Sequence, residues 1–178
     1  MIYLKSNDMK KYIIISLLLL SSVFSYSQKT QKIQDAIWGC KYGSSKEVVA
    51  QAIKLQGYIP KFDGYKIRVD NIEYADISFD YVTFYFYLDQ LYMCDFDYNS
   101  NNESSITASY TRLKKNLSFK YGSKKEDIEE NTKIIHYFDY LNSVSILFSN
   151  YEFNSKISYI LTLRYCNDIL LKKAVNEM

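Results

Sequence analysis

Few residues in this chain have the types and spacing to do chemistry. The only histidine is His136, between Ile134 and Phe138 in a run that alternates like a strand. A serine or cysteine nucleophile that needs an imidazole base would have to use it, and no G-x-S-x-G elbow exists to supply the nucleophile. The residue reads as structural. One histidine also rules out histidine-rich zinc catalysis. Asp76, Asp80, Asp89, Asp95, Asp97 and Asp139 all fall in or near strand-like segments, so a hydrolase working through a carboxylate pair stays open. No pair among them is singled out by spacing. Asp95, Asp97 and Asn99 form a D-x-D-x-N run that could open a calcium loop, but Ser100 stands where a glycine belongs and Ile106 where a bidentate glutamate belongs. No metal site and no cofactor are expected. Cys40, Cys94 and Cys166 have no zinc-like spacing and read as buried small hydrophobes, with three alternative pairings open should two of them oxidise.

The remaining group is aromatic. In the clearest strand of the chain, residues 79–88, Val82, Phe84, Phe86 and Leu88 alternate with Phe79, Tyr81, Thr83, Tyr85 and Tyr87. If the first set packs under helices, Tyr81, Thr83, Tyr85 and Tyr87 form the other face, where amphipathic rings suit contact with a protein or a glycan. These four are the candidate binding residues. Tyrosine is also a good strand former on a half-exposed sheet, and the chain holds 19 of them.

The elements that would position these groups follow from periodicity. Ser44 with Glu47 three residues on predicts a capping box and a helix over 45–56, stopped by Gly57. Strands are predicted over 66–74, 79–88 and 91–98, the last two joined at Asp89-Gln90, with Tyr92, Cys94, Phe96 and Tyr98 facing away from Asp95 and Asp97. Ile106, Tyr110, Leu113 and Leu117 make one stripe of a second helix over 105–120. A charged loop, 123–131, precedes three more strands over 133–140, 144–149 and 156–165, and a short helix over 168–178 closes the chain. The expected fold is α+β: a meandering antiparallel sheet of about six strands, two main helices on one face and a short C-terminal helix. Val82, Phe84, Phe86, Ile106, Leu113, Leu117, Leu161 and Leu163 are the expected core. Lys41–Glu47 and Lys120–Glu126 look alike, but one opens a helix and the other ends one, so they are not read as a repeat.

Lys10 and Lys11, the apolar run from Tyr12 to Phe24 and Ser25-Tyr26-Ser27 read as a cleavable signal peptide over 1–27, cut between Ser27 and Gln28, with Met9 as an alternative start. The apolar run is shorter than the roughly 20 residues of a spanning helix. Residues 28–36 read as a linker and 37–178 as a single domain. The chain has 22 basic and 20 acidic residues; without Lys5, Lys10, Lys11 and Asp8, 19 of each remain. Such a balance argues against a nucleic-acid partner. No transmembrane segment is expected in the mature chain.

Gly43-Ser44-Ser45-Lys46-Glu47-Val48-Val49, followed by strands that end in Val82-Thr83-Phe84-Tyr85-Phe86 and Leu91-Tyr92, resembles the helix-plus-hairpin unit of small envelope proteins with the β-lactamase-inhibitor-protein-like fold. These include the outer-membrane assembly lipoproteins of the SmpA/OmlA group, and the chain is also similar to exported proteins of Bacteroidota. The lipoproteins' lipobox cysteine is missing here, and the sheet is expected to be longer. The resemblance implies a non-catalytic, protein-binding role and transfers no functional residue. The expectation is therefore an exported, periplasmic or secreted, non-enzymatic binding module, with the carboxylate-pair hydrolase as the alternative.

Overall fold

The computed structural model describes residues 32–177 except 123, 130 and 154. The expected signal peptide, its cleavage site at Ser27 and Gln28 and the alternative start at Met9 lie outside the described residues. Among the described residues, no helix is long and apolar enough to cross a membrane.

A two-stranded ribbon, β1 (Ala36–Ile37) and β2 (Cys40–Lys41), leads into α1 (Lys46–Leu55). A four-strand meander follows: β3 (Lys61–Asp63), β4 (Lys66–Tyr74), β5 (Ile77–Tyr87) and β6 (Gln90–Ser100). Then α2 (Glu103–Tyr121) opens a second run of the same kind, β7 (Lys125–Glu129), β8 (Thr132–Phe138), β9 (Asn142–Phe153) and β10 (Lys156–Asn167), and α3 (Asp168–Glu177) closes the chain. All eight strands form one antiparallel sheet in the order β3-β4-β5-β6-β10-β9-β8-β7. That order is a palindrome: each meander puts its last strand in the middle and its first at an edge. The central β6–β10 register runs from Ser100 opposite Tyr159 to Met93 opposite Cys166, with Asp97–Thr162 and Phe96–Leu163 midway. The duplication is one of topology. Lys41–Glu47 runs from β2 into α1, whereas Lys120–Glu126 runs out of α2 into β7, so the two similar segments do not hold matching places.

The expected sheet of about six strands, with two main helices on one face and a short third, is corrected. The sheet has eight strands, and α3 equals α1 at ten residues, so no pair of main helices stands apart by length. The two missed strands, β3 and β7, are charged edge segments (Lys-Phe-Asp and Lys-Glu-Asp-Ile-Glu) with no buried residue. Edges of this kind resist pairing with other chains, and the same charges hide them from a search for apolar alternation.

One face of the sheet carries the core. Val82, Phe84, Phe96, Leu161, Leu163, Val144, Ile146, Ile135 and Tyr137 are buried there with Val49 and Ile53 of α1 and Ile106, Leu113 and Leu117 of α2. All eight expected core residues are buried. The Tyr137 hydroxyl donates to the Lys114 carbonyl at 3.1 Å, and its oxygen lies 2.8 Å from Ser118 Oγ, tying α2 to β8. The cap of α1 is Ser45, one residue later than expected, accepting from Val48 N, and Asp89 in the β5–β6 turn accepts from Lys46 N at 3.0 Å. Two strand readings are corrected as well. Phe79 is core, because the inward set of β5 changes from Ile77 and Phe79 to Val82 and Phe84 opposite Asn71, where β4 takes a φ of +55°. Tyr92 is the extra residue of a bulge between the Tyr85–Met93 and Phe86–Leu91 pairs, which brings its ring 6.4 Å from that of Tyr85.

Candidate functional site

The other face of the sheet is polar. Register decides what meets there: Lys66 opposite Tyr85, Arg68 opposite Thr83, Asp70 opposite Tyr81, Asp97 opposite both Tyr81 and Thr162, and Asp95 opposite both Thr83 and Arg164. Farther along, His136 lies opposite Ser145, which lies opposite Arg164. At one end α3 adjoins this face, with Leu171 beside a hollow and Asp168 accepting from Ser143 Oγ at 2.7 Å.

At the centre, Arg164 donates through Nε and Nη2 to the two oxygens of Asp95, at 2.8 and 2.7 Å. The Asp95 side chain is only 5% exposed, and a fork of this kind is the arrangement that compensates a buried carboxylate. Asp95 in turn holds the guanidinium above its usual range. Two residues along, Asp97 accepts from the Thr162 hydroxyl. Burial raises its carboxyl to about 6, helped by the like charge of Asp95 and opposed by the Thr162 bond and by Arg164 and Arg68.

Two hollows flank this centre. One, of about 320 Å³, is lined by Lys61, Asp63, Lys66, Arg68, Tyr81, Thr83, Tyr85 and Asp97. Within it the Arg68 guanidinium lies 3.7 Å from the centre of the Tyr81 ring, and Lys66 Nζ sits 4.9 Å from Tyr65 and 5.2 Å from Tyr85. Asp70 bridges Lys61 and Arg68. Burial, with Asp95 and Asp97 nearby, pushes the Tyr85 hydroxyl up to about 12. The other hollow, of about 510 Å³, is lined by His136, Ser145, Ile134, Leu147, Cys166 and Leu171 among others. His136 Nδ1 lies 2.8 Å from Ser145 Oγ. Ser145 is buried mid-strand with partners on both sides, so its neighbouring amides belong to the ladder and do not converge on an oxyanion. A wider depression of about 1160 Å³ along the exposed side of α2, lined by Asn101, Thr107, Thr111 and Lys115, is a shallow trough.

Of the four candidate binding residues, Tyr81, Thr83 and Tyr85 line one hollow together. Tyr87 does not join them; its hydroxyl donates to Glu177 at the end of α3. Asp95, Asp97 and Asn99, the calcium alternative, lie within β6 and not in a loop. Arg164, Thr162 and Asp80 respectively bind them, and among the described residues no group of three metal-ligating side chains forms. The other carboxylates weighed for hydrolysis do structural work where they bond at all: Asp89 caps α1, Asp80 accepts from Asn99, and Asp139 accepts from the amides of Ile33, Leu141 and Asn142. The three cysteines are free and buried, and burial raises each thiol. Sequence reasoning missed Lys66, Arg68, Thr162 and Arg164. Each shows itself only once strand register is known. Compared with known proteins, the chain matches no family model, no curated protein and no solved structure.

Proposed function

We propose that the protein is an exported, non-enzymatic binding module that engages a protein partner through the polar sheet face around Tyr81, Thr83 and Tyr85. The observation that carries this reading is the asymmetry of the sheet. Both α1 and α2 pack on one face, while the other presents half-buried tyrosines, cations and carboxylates held in register by eight strands. Rigid aromatic and arginine side chains on a preorganised surface are what protein interfaces use as anchors. A glycan fits less well, because Arg68 and Lys66 already lie over the Tyr81 and Tyr85 rings that a sugar would stack on.

The hydrolase alternative fares worse on this face. Both oxygens of Asp95, the carboxylate two residues from Asp97 in β6, are taken by Arg164, so that neighbouring pair does not supply a free base or nucleophile. The test is expression of the full chain in a bacterial host that exports it, alongside a Tyr81→Ser/Tyr85→Ser variant. The account expects recovered protein to begin at Gln28, the variant to fold, and its retention of the envelope partner to fall at least about tenfold, since interface tyrosines often contribute 1 kcal/mol or more each. Wild-type retention by the folded variant would overturn the placement, and an intact leader would overturn the export reading.

A further inference from the structure

The hollow between β3 and β5 contains one cation that the fold leaves uncommitted. Lys61 and Arg68 both pair with Asp70. Among the described residues Lys66 forms no ion pair, although Asp63 stands opposite it in the β3–β4 register. Its ammonium is turned instead toward the rings of Tyr65 and Tyr85. Two aromatic faces fix the position of the charge without neutralising it, and fixing it in advance lowers the entropic cost of meeting a ligand. Around it stand groups that donate: the Tyr85 hydroxyl, the Thr83 hydroxyl and the guanidinium of Arg68, whose Nε alone is used by Asp70.

We propose, resting on the sheet-face reading, that this hollow is a carboxylate-binding site in which Lys66 Nζ pairs with the ligand and the Thr83 and Tyr85 hydroxyls donate to its oxygens. The charge on the walls selects a monoanionic group. Lys66 attracts an anion while Asp63 and Asp97 in the same wall oppose each negative charge it carries, so a singly charged carboxylate is preferred to a dianionic phosphate. The volume of about 320 Å³ accommodates an acidic side chain and its neighbours. Within the proposed interface, Lys66 is thus the residue that reads an acidic position of the partner. A small free dicarboxylate would offer the same chemistry.

The experiment follows nuclear magnetic resonance shifts of protein purified after expression of the full chain, 15N-labelled and 13C-labelled at lysine. Three probes are added: glutarate, an acetylated and amidated hexapeptide of alternating glutamate and tyrosine, and the same peptide with glutamine for glutamate. The site predicts saturable shifts at Lys66, Thr83 and Tyr85 with the glutamate peptide, with glutarate or with both, and far weaker ones with the glutamine peptide. Saturation by the glutamate peptide alone identifies a peptide-borne carboxylate, and equal saturation by glutarate identifies a free diacid. Lys66→Gln should weaken binding about tenfold or more, while Lys114→Gln, which removes a paired cation on α2 outside the hollow, should change it by less than about twofold. Both variants should keep the wild-type melting temperature. Equal binding of the glutamine peptide at the same residues would overturn the carboxylate site and leave the sheet-face reading standing. Undiminished binding by Lys66→Gln, or no shift with any probe, would overturn the site as well, and the sheet face would still be judged by its own partner-retention test.

Discussion

Asp97 is the residue whose environment opposes its charge most clearly. Its carboxyl is raised from 3.8 to about 6, first by burial and then by Asp95, against the pull of Thr162, Arg164 and Arg68. A carboxyl with a raised folded value works against the usual trend: the folded state takes up the proton first, so Asp97 adds stability as pH falls through 6 toward 3.8 and withholds it above 6. The full shift corresponds to an upper bound of roughly 3 kcal/mol. Asp97→Asn keeps an acceptor for Thr162 and removes the charge. Urea unfolding should therefore find the variant more stable than wild type by about 1–3 kcal/mol at pH 7.5, with the difference shrinking toward zero near pH 4.5. A variant less stable than wild type at both pH values would mean that the carboxylate is favourably held. What the sequence makes legible at this scale is the alternation that brings Tyr81, Thr83 and Tyr85 to one side. It does not reveal their partners, because Arg68, Asp97 and Arg164 come from three other stretches of chain whose pairing depends on register.

At the scale of elements, helices were the most legible part. The stripe Ile106, Leu113, Leu117 is the buried side of α2, and Gly57, with a φ of +83°, follows the end of α1. Strand interiors were legible wherever apolar and polar residues alternate strictly. They failed where the backbone breaks alternation, at Asn71 and at the Tyr92 bulge, since a shift of one residue exchanges the faces of a strand. Asn71 can be tested directly. Its φ of +55° suits asparagine or glycine but strains a β-branched side chain. Asn71→Val should cost about 1–3 kcal/mol and Asn71→Gly less than about 1 kcal/mol, measured by chemical denaturation. Equal costs would mean that the turn of the strand is not held by that torsion. The charged edges β3 and β7 were illegible for a different reason: their side chains bury no apolar surface that would mark a strand, every described one being at least partly exposed.

For the whole molecule, the organising fact is that a helix followed by a four-strand meander occurs twice and joins at β6 and β10. Joining the last strands puts Phe96 beside Leu163 in the middle, both fully buried, and leaves charged first strands at both edges. It also gathers the polar sides of β4, β5, β6, β9 and β10 into one surface, with the Asp95–Arg164 pair between two hollows. Sequence similarity did not lead to this duplication, because the segments that look alike do not occupy equivalent places. The central claim is that the partner docks on this surface and not on the helical side. A photoreactive benzoylphenylalanine placed at Tyr85 samples the polar face, and one at Phe119, which is 95% exposed on α2, samples the opposite side. After irradiation in the exporting host, the account predicts a discrete partner adduct from position 85 and none from position 119. An adduct from position 119 with none from position 85 would contradict it.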